Sequence, residues 1–350
     1  MIDSRLFEWY DIDTNKNLGL KTFCPRPFDT LLVDKQGSCY LCECTSWLPQ
    51  SVGNIQNKSI KEILYNKLAE SIRSSIEDGS YRYCNNKQCS YLLDAESKIL
   101  WGTNLPKTQI KHIRLAIDNS CNLSCPSCRT KNIFLKSGKN LSSRMKMADS
   151  ILEFLNSQEY PMHVHVGSDG DPFASLVYRY FMRGAENMSH LTFSIQTNGL
   201  LVKQMHNRIK KIFSRLKTLN VSIDGATKDT YELLRQGGSY EKILDNLAFI
   251  KEIKKQYGFE FILHVVVQRD NYREMEQMVD LAEQYSADRI WFNRITNWNT
   301  YSNFAELDVA DKNNAQHSQY LEMLSKIKNR ATSYDQRFIE MPTLLNKNFK

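Results

Sequence analysis

Nine cysteines carry the chemical information in this chain: Cys24, Cys39, Cys42, Cys44, Cys84, Cys89, Cys121, Cys125 and Cys128, with none after Cys128. Cysteines used as small core residues would be scattered, so confinement to the first third of 350 residues reads as metal ligation. The odd count disfavours a secreted disulfide framework. So does the opening MIDSRLFEWYDID, which has early acids and no apolar signal core. A cytoplasmic protein is expected. The densest group, CNLSCPSC, puts Cys121, Cys125 and Cys128 on one loop as C-x3-C-x2-C. Thiolates are soft ligands suited to iron–sulfur clusters or zinc. Three of them wrap three corners of a cubane and leave the fourth iron open, provided no other cysteine reaches it. An open metal position is where chemistry takes place. A zinc knuckle or an inert core is the alternative.

These residues need a frame. From Ile110 onward, β-rich runs alternate with amphipathic stretches. The strand candidates are 112–117, 163–166, 191–196, 219–223, 260–267 and 289–294. Helical candidates with apolar residues every three or four positions are 142–156, 201–216, 240–257 and 272–285. Six such repeats predict a parallel sheet with right-handed crossovers, an open partial (β/α)6 barrel of α/β class. The cysteine triad directly follows its first strand, at the end where barrels place active sites. Residues 1–105 differ: they are turn-rich, hold six cysteines and carry one predicted helix, 60–75, opened by Ser59. The expected division is a small cysteine-rich domain over 1–105, the barrel over 106–310, and a closing helix (314–328) with a tail containing FIEMPTL over 311–350.

With the triad at the end of the first strand, the chain resembles the radical S-adenosylmethionine (SAM) superfamily. That resemblance implies that the open iron chelates SAM, that the reduced cluster cleaves SAM to methionine and a 5′-deoxyadenosyl radical, and that the radical abstracts a substrate hydrogen. Further motifs carry over one at a time. GSDGDPFAS after the second strand resembles the family's glycine-rich segment that holds the SAM amino group, through Gly170, Asp171 and Pro172, with Ser168 and Asp169 before them. Thr197, Asn198 and Gly199 end the third strand facing the same site. Ser222 and Asp224, in VSIDGAT, resemble the polar pair near the SAM ribose and carboxylate. For Asp224 and Thr227 the plainer alternative is a helix N-cap.

The front segment resembles the SPASM/twitch auxiliary-cluster module, with a hairpin glycine (Gly37), a turn at Gly53–Asn54–Ile55 and a helix leading to residues 73–79. Relatives mostly carry this module after the barrel; here it precedes it. Six cysteines are available and the dense late group of a full module is absent, so one auxiliary 4Fe–4S cluster is expected. By the motif its ligands are Cys24, Cys42, Cys84 and Cys89; a zinc site on the same four is the alternative. On a hairpin, Cys44 shares a face with Cys42 while Cys39 points away. Both are packing residues, a spare ligand, or thiols that return a hydrogen atom to a substrate radical.

Weaker signals surround the site. His163 and His165 lie on the second strand, and one of them is expected to point into the barrel as a base or substrate contact. Asn293, Arg294, Asn297, Trp298 and Tyr301 belong at the barrel rim, as do Gln268, Arg269 and Asn271. The resemblance implies net oxidation (dehydrogenation or crosslinking) or epimerisation, with a flavodoxin- or ferredoxin-type reductant. The absence of an obvious leader-binding domain favours a sugar-like or other small metabolite over a peptide or protein side chain. A net charge of +7 is spread over lysine-rich helices without a basic, aromatic stripe, so no nucleic-acid partner is expected. Apolar runs are strand-length, so no membrane span is expected. A non-catalytic iron–sulfur electron carrier is the rival reading; motifs at four strand ends speak against it.

Overall fold

Apolar and β-branched residues at Thr30–Asp34 form strand β1 and turn back into β2, Ser38–Tyr40, which pairs antiparallel with it. The reversal needs Gly37, whose φ of +83° lies in the left-handed region. A two-residue strand β3, Gly53–Asn54, pairs antiparallel with β2. The computed structural model describes residues 23–93, 108–334, 338–341 and 343–344, so the N-terminal segment, the proposed boundary at 105/106, Pro342 of the tail motif and the last residues lie outside the described part.

The alternating region produces β4 (His112–Ala116), β5 (Met162–Val166), β6 (Leu191–Thr197), β7 (Leu216–Ser222), β8 (Glu260–Val267) and β9 (Arg289–Arg294), each parallel to the next. A short β10, Ile339–Glu340, adds another parallel strand beside β9. At the opposite edge β1 pairs parallel with β4, in register from Thr30–His112 to Asp34–Ala116. All ten strands therefore form one sheet, ordered β10-β9-β8-β7-β6-β5-β4-β1-β2-β3.

The barrel is preceded by the cysteine-rich segment as expected, and the two share a sheet. The front strands extend the barrel's sheet, and one apolar core runs through both, joining Leu31, Val33 and Ile63 to Leu115, Val164 and Phe193. Among the described residues, Phe23, Phe28, Ile76 and Tyr81 form a small separate cluster. Three predicted helices also break. The 60–75 stretch divides into Ile60–Leu64 and Lys67–Glu77 because Asn66 caps the second helix, accepting from the Ala69 N–H. The 201–216 stretch divides into Val202–His206 and Lys210–Phe213, and 272–285 opens as a 3₁₀ turn before Met275–Gln284. The closing helix is His317–Ala331.

The two faces of the sheet differ in chemistry. On β4, Ile113 and Leu115 are buried in the core shared with the helices, while His112 and Arg114 occupy the other face. Cross-strand partners carry that second face along the sheet: Arg114 opposite His165, His165 opposite Ser194, and Ser222 opposite His264, itself opposite Trp291. His163 and His165, two residues apart, therefore share this face instead of pointing to opposite sides.

Candidate functional site

The triad loop begins directly beyond β4. Cys121 and Cys125 are buried and Cys128 is exposed. Burial, with the Asp171 charge beside it, pushes the Cys121 thiol up to about 11; burial likewise raises Cys125. Each sulfur has a donor nearby: the Leu123 N–H lies 3.4 Å from Cys121, the Arg129 guanidinium 3.5 Å from Cys128 and the Arg235 guanidinium 4.0 Å from Cys125. Donors directed at sulfur favour the thiolate over the thiol and so suit metal binding.

The loop after β5 is pressed against the triad loop. Gly170 takes φ +71° with its α-carbon against the backbone of residues 118–120; an added Cβ would stand 2.6 Å from the Ser120 carbonyl oxygen. Asp171 then donates its N–H to that same oxygen at 2.8 Å. Its carboxylate faces the protein interior and is fully occupied. Oδ2 accepts from the Thr197 hydroxyl at 2.7 Å and the Asn198 N–H at 2.8 Å, and Oδ1 from the N–H groups of Phe173 and Ala174. Burial raises its pKa, partly countered by these donors. Asp171 is thus a positioning residue that ties three loops together; its side chain makes no outward contact. Asn198 extends the tie, donating to Asn122 at 2.9 Å with the Cys121 sulfur 3.7 Å away. Ser168 Oγ is buried without a partner, and Asp169 pairs with Lys35 at 3.0 Å.

Asp224 does not cap a helix. Thr227 does so, accepting from the Thr230 N–H, while Asp224 holds Arg235 at 2.8 Å and accepts from the Val266 N–H. The Arg235 Nε–H is not aligned for a hydrogen bond, so the pair acts through charge. The segment behind Arg235 docks on the triad loop, with the Ser124 N–H donating to the Gln236 carbonyl at 3.0 Å. Arg235, Arg129 and Asn122 were not among the expected site residues; the glycine pair 237–238 after a helix end was the available signal for Arg235. Ser222 is buried at the end of β7.

Two family models match the chain. The radical SAM superfamily model matches residues 116–282, and an iron–sulfur cluster-binding domain of the SPASM type matches residues 24–90. Residues 116–282 thus carry a radical SAM domain, and residues 24–90 a SPASM-type domain. GTP 3′,8-cyclase of Alkaliphilus metalliredigens is 26% identical over 153 residues, 39% of this chain and 42% of that protein. AdoMet-dependent heme synthase of Oleidesulfovibrio alaskensis is 24% identical over 191 residues, 53% of this chain and 47% of that protein. The chain spans about half the length of the curated relatives it matches. Among solved structures, Streptococcus suis SuiB bound to S-adenosylmethionine is similar with a TM-score of 0.47 at 13% identity, over 68% of this chain and 51% of that one. The anSMEcpe complex with AdoMet and a Cp18Cys peptide is similar with a TM-score of 0.45 at 18% identity, over 66% and 62%.

A radical SAM domain uses a 4Fe–4S cluster and SAM, and the SPASM-type domain binds an auxiliary iron–sulfur cluster. The front cysteines fit such a group. Cys24, Cys42, Cys84 and Cys89 line one pocket together with Arg26 and Trp47. Burial pushes Cys24 to about 11 and Cys42 to about 12, raises Cys84 and Cys89, and the four thiols act on one another's charge. Four thiolates are the donor set of a 4Fe–4S cubane and equally of a tetrahedral zinc site. Arg26 roofs the pocket between Trp47 and Tyr91, held by Glu43 at 2.6 Å.

Cys39 lies fully buried in the core beside Val33, its pKa pushed to about 12 by burial and the nearby Asp34. In that place it packs among core residues. Cys44 is half-buried and close enough to Arg114 and Cys89 to act on their charge. At the rim, Arg294 is tied to Asp308 at 2.5 Å, and Asn271 donates to the Asp224 and Val266 carbonyls, so both hold the frame. Asn293 reaches His264 at 2.7 Å, and Trp298 is 68% exposed. Arg269 pairs with Asp270, Asn297 accepts from the Asn299 N–H and Tyr301 is half-buried. Gln268 is fully buried with neither amide atom partnered. Among the described residues no helix is long and apolar enough to cross a membrane.

Proposed function

We propose that this chain is a radical SAM enzyme acting on a sugar-like or other small metabolite, with net oxidation or epimerisation as the outcome. The observation that carries the reading is the convergence of the loops after β4, β5, β6 and β7 on one triad: Cys121, the Gly170 contact, Asn198 and the Arg235–Asp224 pair. Cys121, Cys125 and Cys128 would hold the catalytic cluster, and Cys24, Cys42, Cys84 and Cys89 one auxiliary cluster. When bound, the catalytic cluster supplies the single electron that cleaves SAM to a 5′-deoxyadenosyl radical.

The protein's part is positioning and charge control. Ser168, with its unpartnered buried hydroxyl, Asp169, Gly170 and Pro172 form the proposed cradle for the SAM amino group. Asp171 keeps that cradle against the triad from behind. Asn198 steadies the Cys121 loop, and Arg235 places a cation beside Cys125, which would favour the reduced, more negative cluster more than a neutral residue would. Cys44, at the edge of the polar face, is the remaining thiol able to return a hydrogen atom in an epimerisation. The names of the curated relatives, a GTP cyclase and a heme synthase, denote small-molecule substrates and support that class.

The test is SAM cleavage by the anaerobically reconstituted protein, first alone, then with panels of sugar derivatives, carboxylated metabolites and short peptides. Acceleration by small molecules supports the reading; acceleration by peptides alone replaces it with a peptide maturase.

A further inference from the structure

On the polar face of the sheet stands a cation with no bonded counter-ion among the described residues. Arg114 sits on β4, the strand that leads into the triad loop, and is largely covered: burial lowers its pKa, with Glu43, Cys44 and Cys42 acting the other way. Of the other covered arginines, Arg73 and Arg215 donate to backbone carbonyls, and four are matched to an acid. Arg26 has Glu43, Arg144 has Asp118, Arg235 has Asp224 and Arg294 has Asp308. Arg114 forms no salt bridge or side-chain hydrogen bond among the described residues, and Glu43, the acid it feels most, is already bonded to Arg26 through both Nε and Nη2.

Directly across the register stands His165, on the same face. Its Nε2 is buried without a hydrogen-bond partner. Burial and the Arg114 charge lower its pKa well below the usual range, so the ring is neutral near pH 7. Arg114 is half-buried without a bonded partner among the described residues and the His165 Nε2 is buried and unpartnered, so a ligand here would give both groups a partner.

We infer that Arg114 and His165 form the subsite for a carboxylate of the substrate. The charge balance selects that class. One guanidinium and one neutral imidazole N–H compensate a monoanion, and the guanidinium fork matches the two oxygens of a carboxylate. A phosphate monoester, near two negative charges at neutral pH, would be left under-neutralised. The subsite lies on the barrel's polar face, beside the front segment whose Cys42 and Cys44 Arg114 also feels, so a carboxylate held here anchors the substrate between the two cysteine groups. The inference rests on reading that face as the substrate chamber of the proposed enzyme.

The test uses the full chain, anaerobically reconstituted, and thermal unfolding in acetate, in acetamide, and in chloride at matched ionic strength. Acetate is expected to raise the Tm of the wild type by about 2 °C over chloride, with no rise in acetamide. Arg114→Met is expected to abolish the acetate effect, and His165→Phe to weaken it by about half. Because Arg114→Met replaces an unpaired buried charge with an apolar chain, its own Tm in chloride should equal or exceed that of the wild type, which verifies folding. No acetate effect in the wild type, or an equal effect in Arg114→Met, overturns the inference, as does a marked fall in Tm on that substitution alone. Unfolding needs no turnover, so a failed acetate effect with SAM cleavage intact removes only the subsite. An intact acetate effect without SAM cleavage removes the proposed activity instead.

Discussion

Arg235 lies 2.8 Å from the Asp224 carboxylate and 4.0 Å from the Cys125 sulfur, so one guanidinium links the end of β7 to the cysteine triad. Both partners are almost fully buried. Removing one leaves an uncompensated charge, at a cost of about 3–5 kcal/mol. Denaturant unfolding of Arg235→Met should report a loss of that size, and Asp224→Leu combined with Arg235→Met should recover most of it. In the double variant the reduction potential of the reconstituted catalytic cluster should move by less than in Arg235→Met alone, where loss of a cation moves it downward. Potentiometric EPR titration reads both shifts.

Gly170 and Gly258 share φ +71°, but only Gly170 has backbone where a Cβ would go; nothing lies within 4 Å at Gly258. Gly258→Ala should therefore cost about 1–2 kcal/mol, the strain of the left-handed region alone. Gly170→Ala should cost more and, by pushing residues 118–120 aside, lower the iron bound per chain after reconstitution. Parallel unfolding and iron analysis check the contrast. Equal iron content in the two variants would refute the idea that the β5 loop braces the triad.

Asp171 accepts four hydrogen bonds. Asp171→Asn keeps the shape but gives one oxygen's place to an amide donor facing other donors. Loss of charge-assisted bonds of about 1.5–3 kcal/mol each predicts a marked fall in Tm. SAM affinity, read by equilibrium dialysis, should fall only as far as the loop loosens, and less than in a Ser168→Ala, Asp169→Ala double variant.

Much of this arrangement was legible in the sequence. CNLSCPSC stands at a strand end as expected, and the strands 260–267 and 289–294 fall where the apolar pattern put them, because burial on one face imposes the period of two. Cys24, Cys42, Cys84 and Cys89 line one pocket. What escaped were relationships between distant segments. Pairing of β1 with β4 joins residues some eighty positions apart and leaves no local pattern. The break at Tyr65–Asn66 depended on a cap inside an otherwise helical run. Asp224 resembled a cap until Arg235 supplied its partner. The shared face of His163 and His165 follows from their spacing of two, although only one of them was expected to point inward.

That face also makes stability depend on pH. Burial, with the charges of His112 and Lys217, lowers His163 from 6.5 to about 4, and burial lowers His264 from 6.5 to about 4. Above about pH 6.5 both are neutral whether the chain is folded or not. As pH falls toward 4 the unfolded chain binds protons that the folded one resists, so stability is lost across that window. The slope is at most about 1.4 kcal/mol per pH unit for each histidine. Urea unfolding from pH 7 to 4 should show the decline, and His264→Gln should flatten it. A profile unchanged by that substitution would contradict the assignment.

The central claim is most directly tested by 5′-deoxyadenosine formation. The anaerobically reconstituted protein, reduced and given SAM, should form it, and the Cys121→Ala, Cys125→Ala, Cys128→Ala triple variant, with its front cysteines intact, should not. Equal formation by the triple variant would contradict the account. So would a wild-type protein whose reduced cluster forms no product and keeps the same EPR signal when SAM is added, since the open iron position would then bind nothing.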